Sequence, residues 1–324
     1  MSEKNIPVVF ATDENYVVPT YVTAYSMLKN AKLEWNFDIY VMIPDSMPEK
    51  GKNVLSKLEE VRDNCKVNFL NMKNAFQNVE MQISYITPAT YYRLLLPELL
   101  PQYDKCLYLD SDIIVVGDVS EIYDAQKQDV WLTGVVAGNP ALSSLKGQER
   151  LVHSRKLGIN TIDTYVNAGV LVFNLKAMRD YDLVKAFVDR VPMKYPYQDQ
   201  DILNAVCYEH IQFADRKYNV CPLNGLTPDG EINLTKSEIE VINSAYKSPA
   251  IVHYAQPQKP WLSRSFPMAS YWWKYYDAID PKFREEYLDE FIRKNRKNAI
   301  KVRIKHSKLV MGTWQMLKKI KKNH

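Results

Sequence analysis

The sequence predicts an α/β fold built on a mixed, mostly parallel sheet flanked by helices. Three short apolar runs, residues 7–11, 37–43 and 66–70, have the composition of buried strands. Helical patterns lie between them, one beginning near Pro19 and one over residues 48–61. Strands that alternate with helices in this way pair in parallel through right-handed crossovers.

Composition limits the class of protein. A chain of 324 residues, 46% of them hydrophobic, can bury a substantial core. Its four cysteines show no C-x-x-C spacing, which indicates a reducing compartment and argues against a structural zinc site. The apolar N-terminal run is too short for a signal peptide, and we expect no membrane span. The ten glycines form neither G-x-G-x-x-G nor G-x-x-x-x-G-K, so phosphates would be held by a metal and side chains.

The central feature is the apolar run 106–116, which contains Asp110 and Asp112. We predict one buried strand, and ligands collect where such strands end. At a period of two, both carboxylates leave the same face, about 7 Å apart, where they can share a divalent cation. The sharper interpretation is a metal-phosphate site. The alternative is a strand-ending turn in which one aspartate caps the next segment.

Further candidate residues each have a structural alternative. Arg93, in a predicted helix over 90–96, would be a snorkelling or salt-bridged arginine. In the predicted strand 167–174, small residues allow close approach of a ligand or form a bulge. Asp199 begins a predicted helix and would be its N-cap. A single histidine at a strand end, His253, is more often structural. Residues 138–163 are polar and irregular, and would form a lid or an acceptor insertion.

Four motifs occur in a fixed order along the chain: 108–112 (YLDSD), 167–171 (NAGVL), 197–204 (YQDQDILN) and 253–261 (HYAQPQKPW). Together they resemble glycosyltransferase family 8, which includes bacterial lipopolysaccharide galactosyl- and glucosyltransferases and has a glycogenin-related core. The likeness spans roughly residues 8–261. It implies a GT-A fold, a UDP-sugar donor, a Mn²⁺ or Mg²⁺ cofactor and retention of anomeric configuration.

The resemblance also assigns roles to individual residues. The metal ligands would be Asp110, Asp112 and His253. The residues near the uridine would be Ala11, Asp13, Asn15 and Tyr16. Lys259 would contact the diphosphate, and Ser111 and Gly169 would complete donor binding. The catalytic residues that line the sugar would be Arg93, Asn167, Asp199 and Gln200.

The chemistry of these residues agrees with such an enzyme. Two carboxylates and an imidazole suit Mn²⁺ better than calcium. The metal and Lys259 would neutralise charge on the departing UDP. Gln200 lies where an attacking group would be, but an amide is a poor nucleophile, so we favour front-face attack. One departure is Gln256, where the family usually has glycine, and its side chain would crowd the diphosphate loop.

Two other classes of protein are compatible with part of the pattern. A phosphohydrolase of the haloacid-dehalogenase type also uses D-x-D, but it needs Thr or Val where this chain has Ile114, and a later acidic pair. A non-catalytic UDP-sugar-binding or glycan-binding protein would keep the fold without turnover. We predict the transferase, acting on a bacterial cell-surface polysaccharide or lipopolysaccharide.

The charge is unevenly distributed. Twelve of the 42 Lys and Arg residues, and no acidic residue, lie between Arg293 and His324, so the rest of the chain carries 30 basic against 38 acidic residues. We predict a catalytic domain over 1–265 and a C-terminal helical region over 266–324 with a basic membrane-surface segment. Its apolar helical face would comprise Leu309, Val310, Thr313, Trp314, Leu317 and Ile320. We expect a cytoplasmic protein attached peripherally to the inner face of the membrane, with no nucleic-acid partner; a solvated basic tail is the alternative.

Overall fold

The computed structural model of the chain describes residues 4–73, 75–81, 87–137, 148–222 and 236–297. These residues fall into two compact units, one up to Pro257 and one from Gln258 onward. The units are defined by packing and not by activity, so the division into a catalytic domain of residues 1–265 and a tail region stays a prediction.

The helices and strands follow the predicted alternation. The strands in the described residues are β1 Lys4–Ala11, β2 Trp35–Ile43, β3 Cys65–Asn71, β4 Cys106–Leu109, β5 Ile113–Val115, β6 Leu132–Val136, β7 Val166–Phe173, β8 Ile211–Phe213 and β9 Ile251–His253. The α-helices are α1 Val17–Asn30, α2 Glu49–Ser56, α3 Leu96–Leu99, α4 Ser120–Asp124, α5 Gln148–Leu157, α6 Leu175–Asp180, α7 Leu183–Val188, α8 Gln198–Cys207, α9 Lys236–Lys247, α10 Ala269–Ala278 and α11 Pro281–Phe283. The 3-10 helices are Glu14–Tyr16, Lys57–Val61, Pro88–Leu95, Val191–Met193, Tyr208–His210, Arg216–Asn219 and Pro260–Leu262. Residues Arg284–Leu288 form a π-helical stretch that continues as α-helix over 289–297.

A seven-stranded sheet has the order β3-β2-β1-β4-β7-β6-β8. Strands β3, β2, β1 and β4 are parallel, β7 runs antiparallel to β4 and β6, and β8 is parallel to β6. Every residue of β4 and β7 is buried, as expected for strands covered on both faces. The predicted α/β fold with a mixed, mostly parallel sheet is therefore confirmed.

The register of this sheet brings three chain segments to one edge. Val9 of β1 pairs with Tyr108 of β4, so the carboxyl ends of these parallel strands meet. Leu109 pairs with Val170, and because β7 is antiparallel, its amino-terminal end reaches the same edge. Ligands of open α/β sheets bind at the carboxyl ends of the parallel strands. The D-x-D segment, the end of β1 and the start of β7 therefore surround one place.

The single strand predicted over residues 106–116 is wrong. Strand β4 ends at Leu109, and β5 pairs antiparallel with β9 in a separate two-stranded sheet. The backbone turns between them, and hydroxyls of α1 help to hold the turn: Thr23 donates to the carbonyl of Ile113 at 2.7 Å. The strand-ending turn of the alternative interpretation is therefore present, and Asp110 and Asp112 both lie in it.

Three local predictions need correction. Asp199 does not cap α8, because the N-cap position is Tyr197 and no side chain bonds there. The segment predicted as a helix over 90–96 is mostly 3-10 helix, Pro88–Leu95, before α3 begins. Within the polar segment predicted as irregular, α5 is helical, whereas residues 138–147 lie outside the described residues. A lid or acceptor role for that segment stays a prediction.

The second unit is rich in packed aromatic residues. The ring of Trp272 stacks on Tyr276 with centroids 5.0 Å apart, and the indole N–H of Trp273 donates to the carbonyl of Pro260 at 3.0 Å. The predicted interfacial helix falls within 298–324 and lies outside the described residues. In the part of the chain that the structure describes, no helix has both the length and the apolar character needed to cross a bilayer.

Candidate active site

The three residues expected to bind a metal come together at the sheet edge. Asp110, Asp112 and His253 each offer a ligand atom, and these atoms lie within 4.8 Å of one another. The imidazole Nε2 is 3.2 Å from Oδ1 of Asp112 and 3.6 Å from Oδ2 of Asp110. The pairing of β5 with β9 places His253 opposite Ile113, directly after the turn. Two carboxylate oxygens and one imidazole nitrogen form a donor set that could hold a divalent cation.

Gly169 of β7 lies directly against the candidate ligands, and its lack of a side chain leaves space for them. A Cβ atom at this position would contact Cε1 of His253 and would lie 2.7 Å from Oδ2 of Asp110. The strand cannot easily move away, because the carbonyl of Gly169 accepts the N–H of Asp110 at 2.8 Å. Glycine is therefore needed here for the close approach of a strand to the candidate ligands.

Tyr108 and Arg93 orient the carboxylate of Asp110 through the oxygen that faces away from His253. Its Oδ1 accepts a hydrogen bond from the hydroxyl of Tyr108 and lies 3.0 Å from Nη2 of Arg93. These contacts leave Oδ2 facing His253. The guanidinium of Arg93 also lies over the ring of Tyr108, 4.2 Å from its centroid. Two buried side chains thus fix the rotation of a candidate metal ligand.

Arg93 is a buried, ion-paired arginine, so the salt-bridged alternative holds and the snorkelling one does not. Its Nε lies 3.0 Å from Oδ2 of Asp199, while its Nη2 faces Asp110. Burial opposes the charge of Arg93, but the two carboxylates outweigh it and raise its pKa. Burial raises the pKa of Asp199 to about 6, and the positive charge of Arg93 opposes that rise. Arg93 therefore connects Asp110 with the start of α8.

The amide of Gln200 lies in a continuous hydrogen-bond network. Its Oε1 accepts from Nδ2 of Asn167 and from the N–H of Ala168, each at 3.0 Å. Its Nε2 donates to the hydroxyl of Tyr165 at 3.1 Å, and that hydroxyl donates to Asp201 at 2.7 Å. All of these side chains are buried, so both ends of the amide have fixed partners.

The residues expected near the uridine follow β1. Asp13 caps the 3-10 helix Glu14–Tyr16 by accepting the N–H of Asn15 at 2.9 Å, and burial raises its pKa. The hydroxyl of Ser111 donates to the carbonyl of Ala11 at 2.9 Å, which ties this segment to the D-x-D turn. The segment lies at the shared edge, and its role near a uridine stays a prediction.

The two residues of the diphosphate prediction belong to different units. Lys259 belongs to the second unit, and its proximity to the candidate ligands stays a prediction. Gln256 belongs to the first unit, and its amide nitrogen lies 3.5 Å from the carbonyl of Pro222. The effect of this side chain on a diphosphate also stays a prediction.

Tyr108 and Asn219 contact the candidate ligands although neither is a site residue predicted from the sequence. Nδ1 of His253 lies 2.9 Å from Oδ1 of Asn219, and Nδ2 of Asn219 donates to Asn167 at 2.8 Å. Burial opposes protonation of His253, but hydrogen bonding to Asp112 outweighs it and raises the pKa to about 10. A bound divalent cation would replace the proton on Nε2. Nothing in the sequence around Asn219 distinguishes it from a structural asparagine.

Comparisons with known proteins agree with this geometry. The model of Glycosyl transferase family 8 matches residues 7–265. A lipopolysaccharide 1,2-glucosyltransferase of Escherichia coli is 28% identical over 320 residues, covering 94% of this chain and 88% of that protein. The solved WbbM bifunctional glycosyltransferase superposes with a TM-score of 0.77 at 26% identity over 92% of this chain, which spans 52% of that protein. The galactosyltransferase LgtC, solved with donor and acceptor sugar analogues, gives a TM-score of 0.66 at 25% identity, covering 86% of this chain and 99% of LgtC.

The family match covers most of the chain, the neighbours share its GT-A architecture, and the candidate metal ligands come together at the edge of the sheet. The chain belongs to glycosyl transferase family 8.

Proposed function

We propose that this protein is a metal-dependent, retaining glycosyltransferase that moves a glucose or galactose unit from a UDP-sugar to a glycan acceptor. The acceptor would belong to a bacterial lipopolysaccharide or another cell-surface polysaccharide. The observation that carries the proposal is the convergence of Asp110, Asp112 and His253 at the edge of a GT-A sheet. The names of the E. coli glucosyltransferase and of LgtC support the class of reaction.

The proposed metal ligands are Asp110, Asp112 and His253, and their oxygen and nitrogen donors fit Mn²⁺ or Mg²⁺. Gly169 provides the space beside them. When bound, the cation would neutralise negative charge on the leaving diphosphate. Arg93 and Tyr108 hold the carboxylate of Asp110 in the orientation that binding requires.

We propose that the donor sugar is held by four buried polar residues next to the ligand group. These are Arg93, Asn167, Asp199 and Gln200. Groups that hydrogen-bond sugar hydroxyls reject analogues in which a hydroxyl is missing, because a buried partner would then be unpaired. The uridine would contact the segment from Ala11 to Tyr16, which Ser111 ties to the D-x-D turn. Lys259 would supply a positive charge to the diphosphate.

Front-face attack is the mechanism that the contacts of Gln200 support. Its Oε1 accepts two hydrogen bonds, and an amide oxygen is a poor nucleophile even without them. In the proposed mechanism a phosphate oxygen of the donor accepts the proton of the attacking acceptor hydroxyl. A covalent glycosyl adduct on Gln200, trapped during turnover and located by mass spectrometry, would contradict this mechanism.

The function is tested by a donor screen of UDP-glucose, UDP-galactose and their N-acetyl forms with Mn²⁺. We expect release of UDP from one hexose donor, and loss of that release when EDTA removes the metal. A phosphohydrolase would instead release inorganic phosphate. Binding of the nucleotide sugar without release of either product would favour a non-catalytic binding protein.

We also propose that the protein is cytoplasmic and attaches to the inner face of the membrane through the basic segment 293–324. Its support is the excess of Lys and Arg near the C-terminus and the apolar helical pattern between them. We expect the full chain to sediment with vesicles containing anionic lipid at low ionic strength, and high salt to weaken this binding. A chain that stays in the supernatant at low salt would refute the attachment.

A further inference from the structure

A series of side-chain amides connects the backbone of β7 to the imidazole of His253. Backbone N–H groups can only donate, so the contacts they make identify the oxygen of each amide. The N–H of Gly169 donates to Asn167 at 2.9 Å, and the N–H of Ala168 donates to Gln200 at 3.0 Å. These two contacts orient both amides: Oδ1 of Asn167 faces Gly169, and its Nδ2 faces Oε1 of Gln200.

The same reasoning extends to Asn219. Because Oδ1 of Asn167 is an acceptor, the atom of Asn219 that lies 2.8 Å from it must be the amine Nδ2. The oxygen of Asn219 then faces Nδ1 of His253 at 2.9 Å. An oxygen without a hydrogen can only accept, so Nδ1 of His253 must carry the hydrogen. The nitrogen left to bind a cation is Nε2, which is the one that faces Asp110 and Asp112.

The backbone holds Asn219 in register with this histidine. Val220 forms a parallel bridge with Val252, and its carbonyl accepts the N–H of His253 at 2.9 Å. Asn219 is the last residue of a 3-10 helix and is 9% exposed, so water competes little for its hydrogen bonds. Its hydrogen bonds to Asn167 and His253 are thus fixed by the chain on both sides, and the Cys221 thiol lies 3.8 Å from its Oδ1.

We propose that Asn219 is a positioning residue that fixes the tautomer and the direction of His253, and thereby sets the affinity of the site for a divalent cation. The inference rests on the proposed function, since it assumes that His253 is a metal ligand. Partners that orient a metal-binding histidine typically change metal affinity by about 10- to 100-fold when they are removed. None of the four family motifs includes this residue.

Two substitutions separate positioning from a general structural role. Asn219→Leu removes the acceptor of the Nδ1 hydrogen, and we expect it to weaken Mn²⁺ binding by about 10- to 100-fold. Asn219→Asp loses the bond to Asn167 just as leucine does, but its carboxylate still accepts from Nδ1, so we expect Mn²⁺ binding at least as tight as in the wild type. Mn²⁺ affinity is measured from the electron paramagnetic resonance signal of the free ion. Equal weakening in both variants would overturn the proposal.

A spectroscopic measurement tests the tautomer directly. In the Mg²⁺-loaded protein, the ¹⁵N shifts of the His253 ring should show a protonated Nδ1 in the wild type and in Asn219→Asp, and a change in Asn219→Leu. The signal is assigned by its loss in His253→Gln. Asn204→Leu is the matched control, because Asn204 is a buried asparagine that bonds the backbone of Val166. We expect it to lower thermal stability and to leave Mn²⁺ affinity within about twofold.

The outcomes distinguish this inference from the proposed function. A wild-type protein that binds no Mn²⁺ would overturn the metal site itself. A wild-type protein that binds Mn²⁺, together with an Asn219→Leu variant of the same affinity and the same ¹⁵N shifts, would overturn only the role of Asn219.

Discussion

Replacement of Asp112 with asparagine is expected to lower Mn²⁺-dependent release of UDP by about a thousandfold, or roughly 4 kcal/mol of transition-state stabilisation. The amide has nearly the shape of the carboxylate but lacks its charge, and the side chain lies 3.2 Å from Nε2 of His253 in the candidate ligand group. Steady-state kinetics with the active UDP-hexose, together with Mn²⁺ titration, measures the effect. Both turnover and metal affinity should fall.

The matched control for this substitution is Asp118→Asn. Asp118 lies on the same segment and is also largely buried, but it pairs with Lys32 at 2.9 Å and accepts the N–H of Ser120. An asparagine can still accept that N–H, so we expect turnover within about twofold of the wild type and a loss of stability of at most about 1 kcal/mol. If the Asp112→Asn variant turns over as fast as the Asp118→Asn control, Asp112 does not belong to the site.

Substitution of Gly169 by alanine is expected to weaken Mn²⁺ binding by about a hundredfold, although glycine offers no ligand of its own. The new Cβ would contact the ring of His253 and would lie 2.7 Å from Oδ2 of Asp110. Metal ligands tolerate displacements of only about 0.2 Å, so moving either side chain disrupts the site. Overpacking should also cost about 1–3 kcal/mol of stability. Metal titration and thermal unfolding measure the two effects.

Gly51→Ala serves as the control for added volume at a glycine. A Cβ atom there would lie 2.9 Å from Sδ of Met47 and 3.1 Å from Cγ2 of Val17, and the flexible methionine side chain can move to relieve the closer contact. Because Gly51 lies in α2, alanine should also favour the helix by about 0.5–1 kcal/mol. Metal affinity should be unchanged in this variant. If Gly169→Ala binds Mn²⁺ as tightly as Gly51→Ala does, the candidate ligands are not packed against β7 as described.

The fold was largely predictable because its signals are local. Strands β1, β2 and β3 are short segments rich in apolar residues, and the helices between them have a clear period. The break between β4 and β5 was not predictable, because residues on both sides of it are equally apolar. It depends on distant partners: β5 pairs with β9, and α1 supplies Thr23 to the turn.

The residues of the candidate site were predictable where they lie within the family motifs. The convergence of Asp110, Asp112 and His253 was expected from resemblance to a family, since no local pattern links residues so far apart in the chain. Asp199 shows the limit of local reasoning: an acidic residue in a first helical turn predicts a cap, yet a buried arginine holds it instead. No pattern in the sequence pointed to Asn219, because its proposed role depends only on its contacts with Asn167 and His253.

The pairing of β5 with β9 has a consequence for biosynthesis. The carboxylates of Asp110 and Asp112 leave the ribosome about 140 residues before His253, and the loop between them must close before the imidazole can join them. A nascent chain therefore cannot assemble the complete group of three until nearly all of the first unit has been synthesised. Partly made chains would have the two acids without the imidazole, and so could not hold a cation with all three candidate ligands.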